Sequence, residues 1–240
     1  MQPWTADPTL EPGLYVIPTP IGNLEDITLR SIRMLKSVSW LLAEDTRTSR
    51  FLLQHLGIDR PLTAFHMHNE HATAGKWVHM IQQGASVGMV SDAGTPGISD
   101  PAFLLVRACI EAELPVTCLP GPTAFVPALV MSGLPMDRFR FEGFLPVKKG
   151  RQKKWEALSQ EDQTLVLYES PHRILKCIEE VVRWMGPQTK VALCREISKK
   201  FETCVRGTAA DVLQQLTASP PKGEMVLVIK KEDFNPKSDE

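Results

Sequence analysis

Short apolar runs alternate with segments of helical spacing along this chain. Leu14 to Ile17, Val38 to Ala43, Val87 to Val90 and Val116 to Leu119 are brief, apolar and bounded by turn residues, which predicts buried strands. Between them, Leu29, Ile32 and Leu35, and later Phe103, Val106 and Ile110, recur at helical intervals. This alternation predicts a parallel α/β sheet. A fifth strand is expected before Lys148. A second series follows with Thr164 to Tyr168, Val191 to Cys194, Phe201 to Val205 and Met225 to Ile229, the last so continuously apolar that both of its faces should be covered. The clearest helix has Ser170 as N-cap, Pro171 in its first position, one apolar face of Ile174, Ile178, Val181, Val182 and Met185, and Gly186 as its stop.

The fold class is therefore α/β, in two α/β domains. A boundary near Gly121 to Thr123 gives domains 13–121 and 122–231, with 1–12 and 232–240 expected to be flexible and no internal repeat. The 240 residues, 43% hydrophobic and 23% charged, suffice for one large core or two smaller ones. A net charge of -1 argues against a wholly basic nucleic-acid binder but leaves room for a local basic surface. The five cysteines are odd in number, widely spaced and form no CxxC pair, so a reducing cytoplasm is expected, without disulfides or structural zinc. Neither a signal peptide nor a membrane span is expected. His66, His68 and His71 lack the helical spacing of a metal-binding pair, and no metal site is expected.

Candidate chemistry gathers where the predicted strands end. After the third strand, Ser91-Asp-Ala-Gly-Thr-Pro-Gly-Ile-Ser-Asp-Pro101 stops abruptly in small residues. Gly94 and Gly97 allow close backbone approach to a ligand, while Asp92, Thr95, Ser99 and Asp100 can fix polar groups or cap the next helix. The first strand runs into Pro18-Thr-Pro-Ile-Gly-Asn23, whose one glycine and two prolines disfavour a pyrophosphate cradle. The second ends in Ala43-Glu-Asp-Thr-Arg47, either a solvated helix start or a set of carboxylates at the ligand-binding edge of the sheet. The fourth leads into Pro120-Gly-Pro-Thr-Ala-Phe125 at the same edge.

These loops, with Ser132-Gly-Leu-Pro135, Phe141-Glu-Gly-Phe-Leu-Pro146, Tyr168-Glu-Ser-Pro-His-Arg173, Arg195-Glu196 and Gly223-Glu-Met-Val226, follow one another in a familiar order. From Leu14 to Ile229 the chain resembles the small-subunit ribosomal RNA methyltransferase I family, a branch of the tetrapyrrole methylase superfamily. Ala102, where glycine commonly follows Asp-Pro, and Thr123 are small departures. The resemblance implies two α/β domains of the tetrapyrrole methylase type with a cofactor cleft between them. It implies S-adenosylmethionine as cofactor, methylation of the ribose 2′-hydroxyl of a cytidine in small-subunit (16S) ribosomal RNA, and a homodimer.

By the same resemblance, Pro20, Gly22, Asp92, Ala93, Gly94, Thr95, Pro96, Ser99, Thr123, Ala124, Phe125 and Tyr168 would hold the cofactor. A ribose hydroxyl needs its proton removed, which points to a nearby carboxylate. Asp45 is the first candidate, with Arg47 orienting it or a phosphate, Glu44 beside it, and Glu169 and Glu196 in reserve; Glu196 has an alternative as an ion-pair partner of Arg195 or Arg173.

Lys148, Lys149, Arg151, Lys153 and Lys154 form a cationic cluster suited to RNA phosphates, with Arg173 a further cationic point. The alternative is a solvated helix start, and Trp155 is assigned to the core rather than to base stacking. A small-molecule methylase of the same fold, or a non-catalytic nucleotide-binding module, is the other reading; the first leaves the cationic segment without a purpose.

Overall fold

In the computed structural model, which describes residues 10–67, 69–98 and 102–231, the chain divides into two compact units, Met1–Thr123 and Ala124–Glu240. The first unit contains β1 (Gly13–Val16), α1 (Leu29–Ser37), β2 (Trp40–Ala43), α2 (Thr46–His55), β3 (Thr63–Ala64), α3 (Glu70–Gln82), β4 (Ser86–Val90), α4 (Phe103–Glu111) and β5 (Val116–Cys118). Its strands lie in the order β3-β2-β4-β1-β5 and every pairing is parallel. Residue alternation sorts the sheet's side chains into two cores, as the period of a strand requires. Leu14, Val16, Leu42, Val87 and Met89 pack with Trp77 and Ile81 of α3 and with Leu105 and Cys109 of α4. Ile17, Leu41, Ala43 and Val90 pack with Met34 and Leu35 of α1 and Leu53 of α2.

The second unit contains α5 (Phe125–Ser132), β6 (Phe139–Phe144), α6 (Arg151–Leu158), β7 (Thr164–Glu169), α7 (Ile174–Met185), β8 (Lys190–Arg195), β9 (Thr203–Thr208), α8 (Ala209–Ala218) and β10 (Met225–Lys230). Its sheet has the order β6-β7-β10-β8-β9 and is mixed: β6 and β7 run parallel, whereas β10 is antiparallel to both β7 and β8, and β8 to β9. Between Phe141 and Gly143 the register of edge strand β6 shifts in a bulge. On one face, Leu165, Leu167, Val191, Leu193, Met225, Leu227 and Ile229 meet Trp155 and Leu158 of α6, Ile174, Ile178 and Val181 of α7, and Val212 and Leu216 of α8. The intervening residues Val166, Ala192, Cys194, Val226 and Val228 are buried as well, on the face where α5 packs against β7, β8 and β10. There the Cys194 thiol reaches the Ala128 carbonyl at 3.7 Å.

Several elements differ from the sequence reading for identifiable reasons. Val38 is not in the second strand; its amide closes α1 on the Met34 carbonyl. The regular part of α7 begins at Ile174 rather than Pro171, because the amides of Arg173 and Ile174 both turn back to the Ser170 carbonyl. Ser170 itself gives its amide to the Glu169 carboxylate at 2.9 Å. Phe201 lies in the turn before β9 and not in the strand. At its other end α7 stops at Gly186, as expected, with φ 98°. The expected flexible termini fall largely on 1–9 and 232–240, which lie outside the described residues.

Leu227 is fully buried in β10, bonded on both strand edges and packed beneath three helices. Leu227→Ala is expected to destabilise the fold by about 2–5 kcal/mol through lost transfer energy and the cavity left behind. Denaturant midpoints, compared with those of an exposed substitution such as Lys153→Ala, provide the measurement.

Candidate active site

In the first unit, the parallel register Ala43↔Val90 brings the ends of β2 and β4 side by side. Three carboxylates consequently meet there. Asp45 is the extended N-cap of α2, and its side chain accepts the Arg47 amide at 2.8 Å. The same carboxylate is forked by the Arg47 guanidinium, with Nη2 at 2.6 Å and Nε at 3.1 Å. Asp45 donates its own amide to Asp92 Oδ1 at 3.1 Å, and Asp92 donates its amide to Glu44 Oε2 at 3.5 Å.

The three groups have different electrostatics. Hydrogen bonds from the Arg47 side chain, and then from its amide, hold Asp45 down at about 2. Glu44 and Asp92 are both raised above the ordinary carboxylate range, first by burial and further by neighbouring negative charge, against the lowering effect of the amides they accept. The Arg47 side chain is 90% exposed, so its cation stands in solvent with its inner edge on Asp45.

The loop after β1 is bonded to the loop after β4. Thr19 gives its amide to the Gly94 carbonyl at 2.9 Å, and Gly94 returns its own to the Thr19 carbonyl at 3.0 Å. The Thr19 hydroxyl bonds the Ser91 carbonyl, and the Thr95 hydroxyl bonds the Pro122 carbonyl at 3.1 Å. Gly94 holds φ +78°, the left-handed region that glycine adopts without a Cβ penalty. An added Cβ there would meet Ile21 and the Pro122 carbonyl at 3.4 and 3.5 Å, so its neighbours are the adjoining loops. Pro20 and Pro96 are buried, Gly22, Asp92 and Ala93 exposed, and Thr123 half-buried. Of the expected cofactor residues, Ser99 lies outside the described residues, as does Asp100.

Ala124, Phe125 and Tyr168 belong to the second unit. Ala124 is the N-cap position of α5. The Phe125 ring lies 4.7 Å from that of Phe141, which meets Tyr168 edge-on at 5.1 Å; Phe144 lies 5.6 Å from Tyr168 on β7.

The cationic cluster separates into exposed and engaged members. Lys148, Lys149 and Lys153 are exposed. Lys154 pairs with Glu142 at 2.5 Å. Arg151, expected on the RNA-facing surface, is instead only 5% exposed. It bonds Glu180 at 2.6 Å and the Pro146 carbonyl at 3.0 Å, and lies 3.6 Å from Glu169. The reason is helical geometry: Arg151, Trp155 and Leu158 fall at i, i+4 and i+7 and form the buried face of α6. That spacing was the available sequence signal. Its acidic partners Glu180 and Glu169, distant in sequence, gave none. Arg173 is partly engaged too, with Glu169 at 2.6 Å. Among the described residues no group of His, Cys, Asp or Glu is arranged to hold a metal, and no helix is long and apolar enough to cross a membrane.

Comparison with known proteins adds three findings. Residues 13–213 match the family of tetrapyrrole (corrin/porphyrin) methylases. The ribosomal RNA small subunit methyltransferase I of Haemophilus influenzae is 46% identical over 94% of this chain and 80% of its own, and that of a Hydrogenobaculum species 45% identical over 92% and 96%. Uroporphyrin-III C-methyltransferase from Thermus thermophilus has the same fold: one crystal structure aligns at 22% identity and TM-score 0.63, over 91% of this chain and 94% of that one. Another, complexed with S-adenyl homocysteine, aligns at 17% identity and TM-score 0.61, over 91% and 97%. With the family match covering most of its length and relatives at this identity along nearly all of it, the chain belongs to the tetrapyrrole methylase family, in its ribosomal RNA small subunit methyltransferase I branch.

Proposed function

We propose that the protein uses S-adenosylmethionine to methylate the ribose 2′-hydroxyl of a cytidine in small-subunit (16S) ribosomal RNA, working as a cytoplasmic homodimer. The observation that carries this reading is the 46% identity to a ribosomal RNA small subunit methyltransferase I along 94% of the chain. The chemistry of the first sheet's edge fits the cofactor. Asp45 and Asp92 share the field of one guanidinium that is paired to Asp45, and the Asp92 carboxylate beside it suits a ligand with a cationic sulfonium and ammonium. Pro20, Gly22, Asp92 to Pro96 and Thr123 would hold it there, with Ser99 next along the same sequence; Ala124, Phe125 and Tyr168 are the further residues proposed to bind it.

When bound, S-adenosylmethionine supplies an electrophilic methyl group. The chain's own task is to place the ribose oxygen and take its proton, because positioning dominates an in-line transfer. Asp45, held at about 2 by Arg47, is the weakest base of the three carboxylates. Proton acceptance therefore falls to the raised carboxylate of Glu44, while Asp45 positions Arg47 toward a phosphate of the RNA. Lys148, Lys149 and Lys153 supply sequence-independent phosphate contacts, and Arg151 holds the base of that segment in place.

Methylation of small ribosomal subunits and of naked 16S RNA, followed by mapping of the modified nucleotide, tests the reading; transfer to neither would overturn it. Glu44→Gln should lower turnover by about 100-fold or more while cofactor affinity measured by calorimetry is kept. A base must be deprotonated, so activity should rise with pH through the raised Glu44 value, and this limb should persist in Asp45→Asn and vanish in Glu44→Gln. Replacing Lys148, Lys149 and Lys153 together by Gln should weaken RNA binding across sequences. The slope of log affinity against log salt should flatten by roughly 0.7 to 0.9 for each phosphate that is no longer neutralised, with cofactor affinity unchanged.

A further inference from the structure

The loop from Glu196 to Glu202, between β8 and β9, is not used in the function proposed above. Its shape is heavily fixed. Arg195, the last residue of β8, donates from Nε to the Thr203 hydroxyl at 3.1 Å, from Nη2 to the Phe201 carbonyl at 3.2 Å and from Nη1 to the Lys222 carbonyl at 3.3 Å. Glu196 and Ser198, neither of them glycine, are held in left-handed backbone at φ 52° and 67°. The Glu196 carboxylate accepts the Glu224 amide at 2.8 Å and Lys199 Nζ at 3.2 Å. It lies so close to Gly223 that a Cβ there would come within 2.4 Å of Oε1. Glu202 accepts the Ser198 amide at 2.6 Å across the turn.

This framework presents Phe201 with 64% of its surface exposed, and the Lys200 ammonium stands 5.7 Å from the ring centroid. The charges around the ring are unequally engaged. Glu196 and Glu224 flank Lys199, and Glu202 is turned onto a loop amide. By contrast, Arg195 bonds only carbonyls and a hydroxyl, and no ion pair joins Lys200 or Lys222 to a carboxylate among the described residues. The surface beside the ring is thus complementary to anions, unlike the surroundings of an aromatic that seeks an apolar protein partner.

Strand register gives this loop its neighbours. Met225 of β10 pairs with Glu169 on one side and Arg195 on the other, and Phe144 pairs with Tyr168. The loop carrying Lys148 and Lys149, the turn carrying Arg173 and the Phe201 loop consequently leave the second sheet at one edge. With neighbouring strands about 5 Å apart, the four strands from β6 to β8 place these elements within roughly 15 Å along that edge.

We propose that the β8–β9 loop is a binding site for single-stranded RNA, in which Phe201 stacks on an unpaired base and Lys200 and Lys222 take the adjoining phosphates. Pinned backbone, an exposed ring and cations free of carboxylates are what sequence-tolerant stacking requires, since every base has a π face and the ring loses little freedom on binding. The proposal deepens the RNA-methylating reading of the protein and rests on it.

The test measures binding of the full chain to a short unstructured oligoribonucleotide carrying 2-aminopurine, whose fluorescence reports stacking. Phe201→Ala should weaken binding roughly five- to 100-fold and abolish the fluorescence change, and Phe201→Trp should restore both. The salt slope should be unaltered in Phe201→Ala but flatter, by roughly 0.7 for each phosphate released, when Lys200 and Lys222 are changed to Gln. Unchanged cofactor affinity in these variants verifies the fold. Equal affinity of Phe201→Ala and wild type would overturn the proposal, and so would a change in sedimentation mass, which would make Phe201 part of a contact between copies of the chain. Wild-type methylation of small subunits, measured in parallel, separates the two ideas: normal transfer with an indifferent Phe201 removes only the loop, and absent transfer removes the function.

Discussion

The second sheet depends on one insertion. β10, the last strand among the described residues, lies between β7 and β8, antiparallel to both, and its backbone is bonded along both edges. Without it, β6–β7 and β8–β9 would be two separate ribbons, and isolated two-stranded ribbons are marginal in water. The run Met225 to Ile229 is wholly apolar because it faces helices on one side of the sheet and α5 on the other. Sequence separation makes this pairing costly in chain entropy, so it is repaid only when the full apolar area of the strand is buried. One strand thereby sets both the stability of the unit and the alignment of Glu169 with Arg195 at its edge.

A comparable economy operates in the first unit through charge. A parallel pair, β2 and β4, brings three carboxylates together through backbone amides, yet among the described residues only Asp45 of the three forms an ion pair. The guanidinium lowers Asp45 while burial and the remaining negative charge raise Glu44 and Asp92. Groups of one chemical kind are thus separated in basicity by their partners, the usual basis of acid–base division of labour. Elsewhere the chain does the reverse with arginine: Arg47 is solvated, whereas Arg151 is withdrawn into an ion network under α6.

Much of the fold was legible because strands buried on both faces are written as unbroken apolar runs, as in Val87 to Val90 and Met225 to Ile229. The two residues of β3 carry no such pattern. The antiparallel direction of β10 was illegible too, since direction follows from where the connection lands and not from the strand's residues. At the site, the loops were visible one at a time as clusters of small and acidic residues. Their pairing was not, because Asp45 and Asp92 meet only through the register of β2 with β4. Arg151 was misplaced because its charge outweighed its spacing with Trp155 and Leu158, and Phe201 because an aromatic two positions before Thr203, in alternation with it and Val205, reads as the first residue of that strand.

The outer strands have a further consequence for association. β3 is two residues long and β5 three, and β6 is interrupted by its bulge with Arg140 and Glu142 beside it. Such edges offer few consecutive backbone groups in a straight line, the template that strand addition and edge-to-edge aggregation need. At these three edges a neighbouring chain finds no long ladder to extend, and the six-residue β9 is left as the outer strand with an unbroken row of backbone groups.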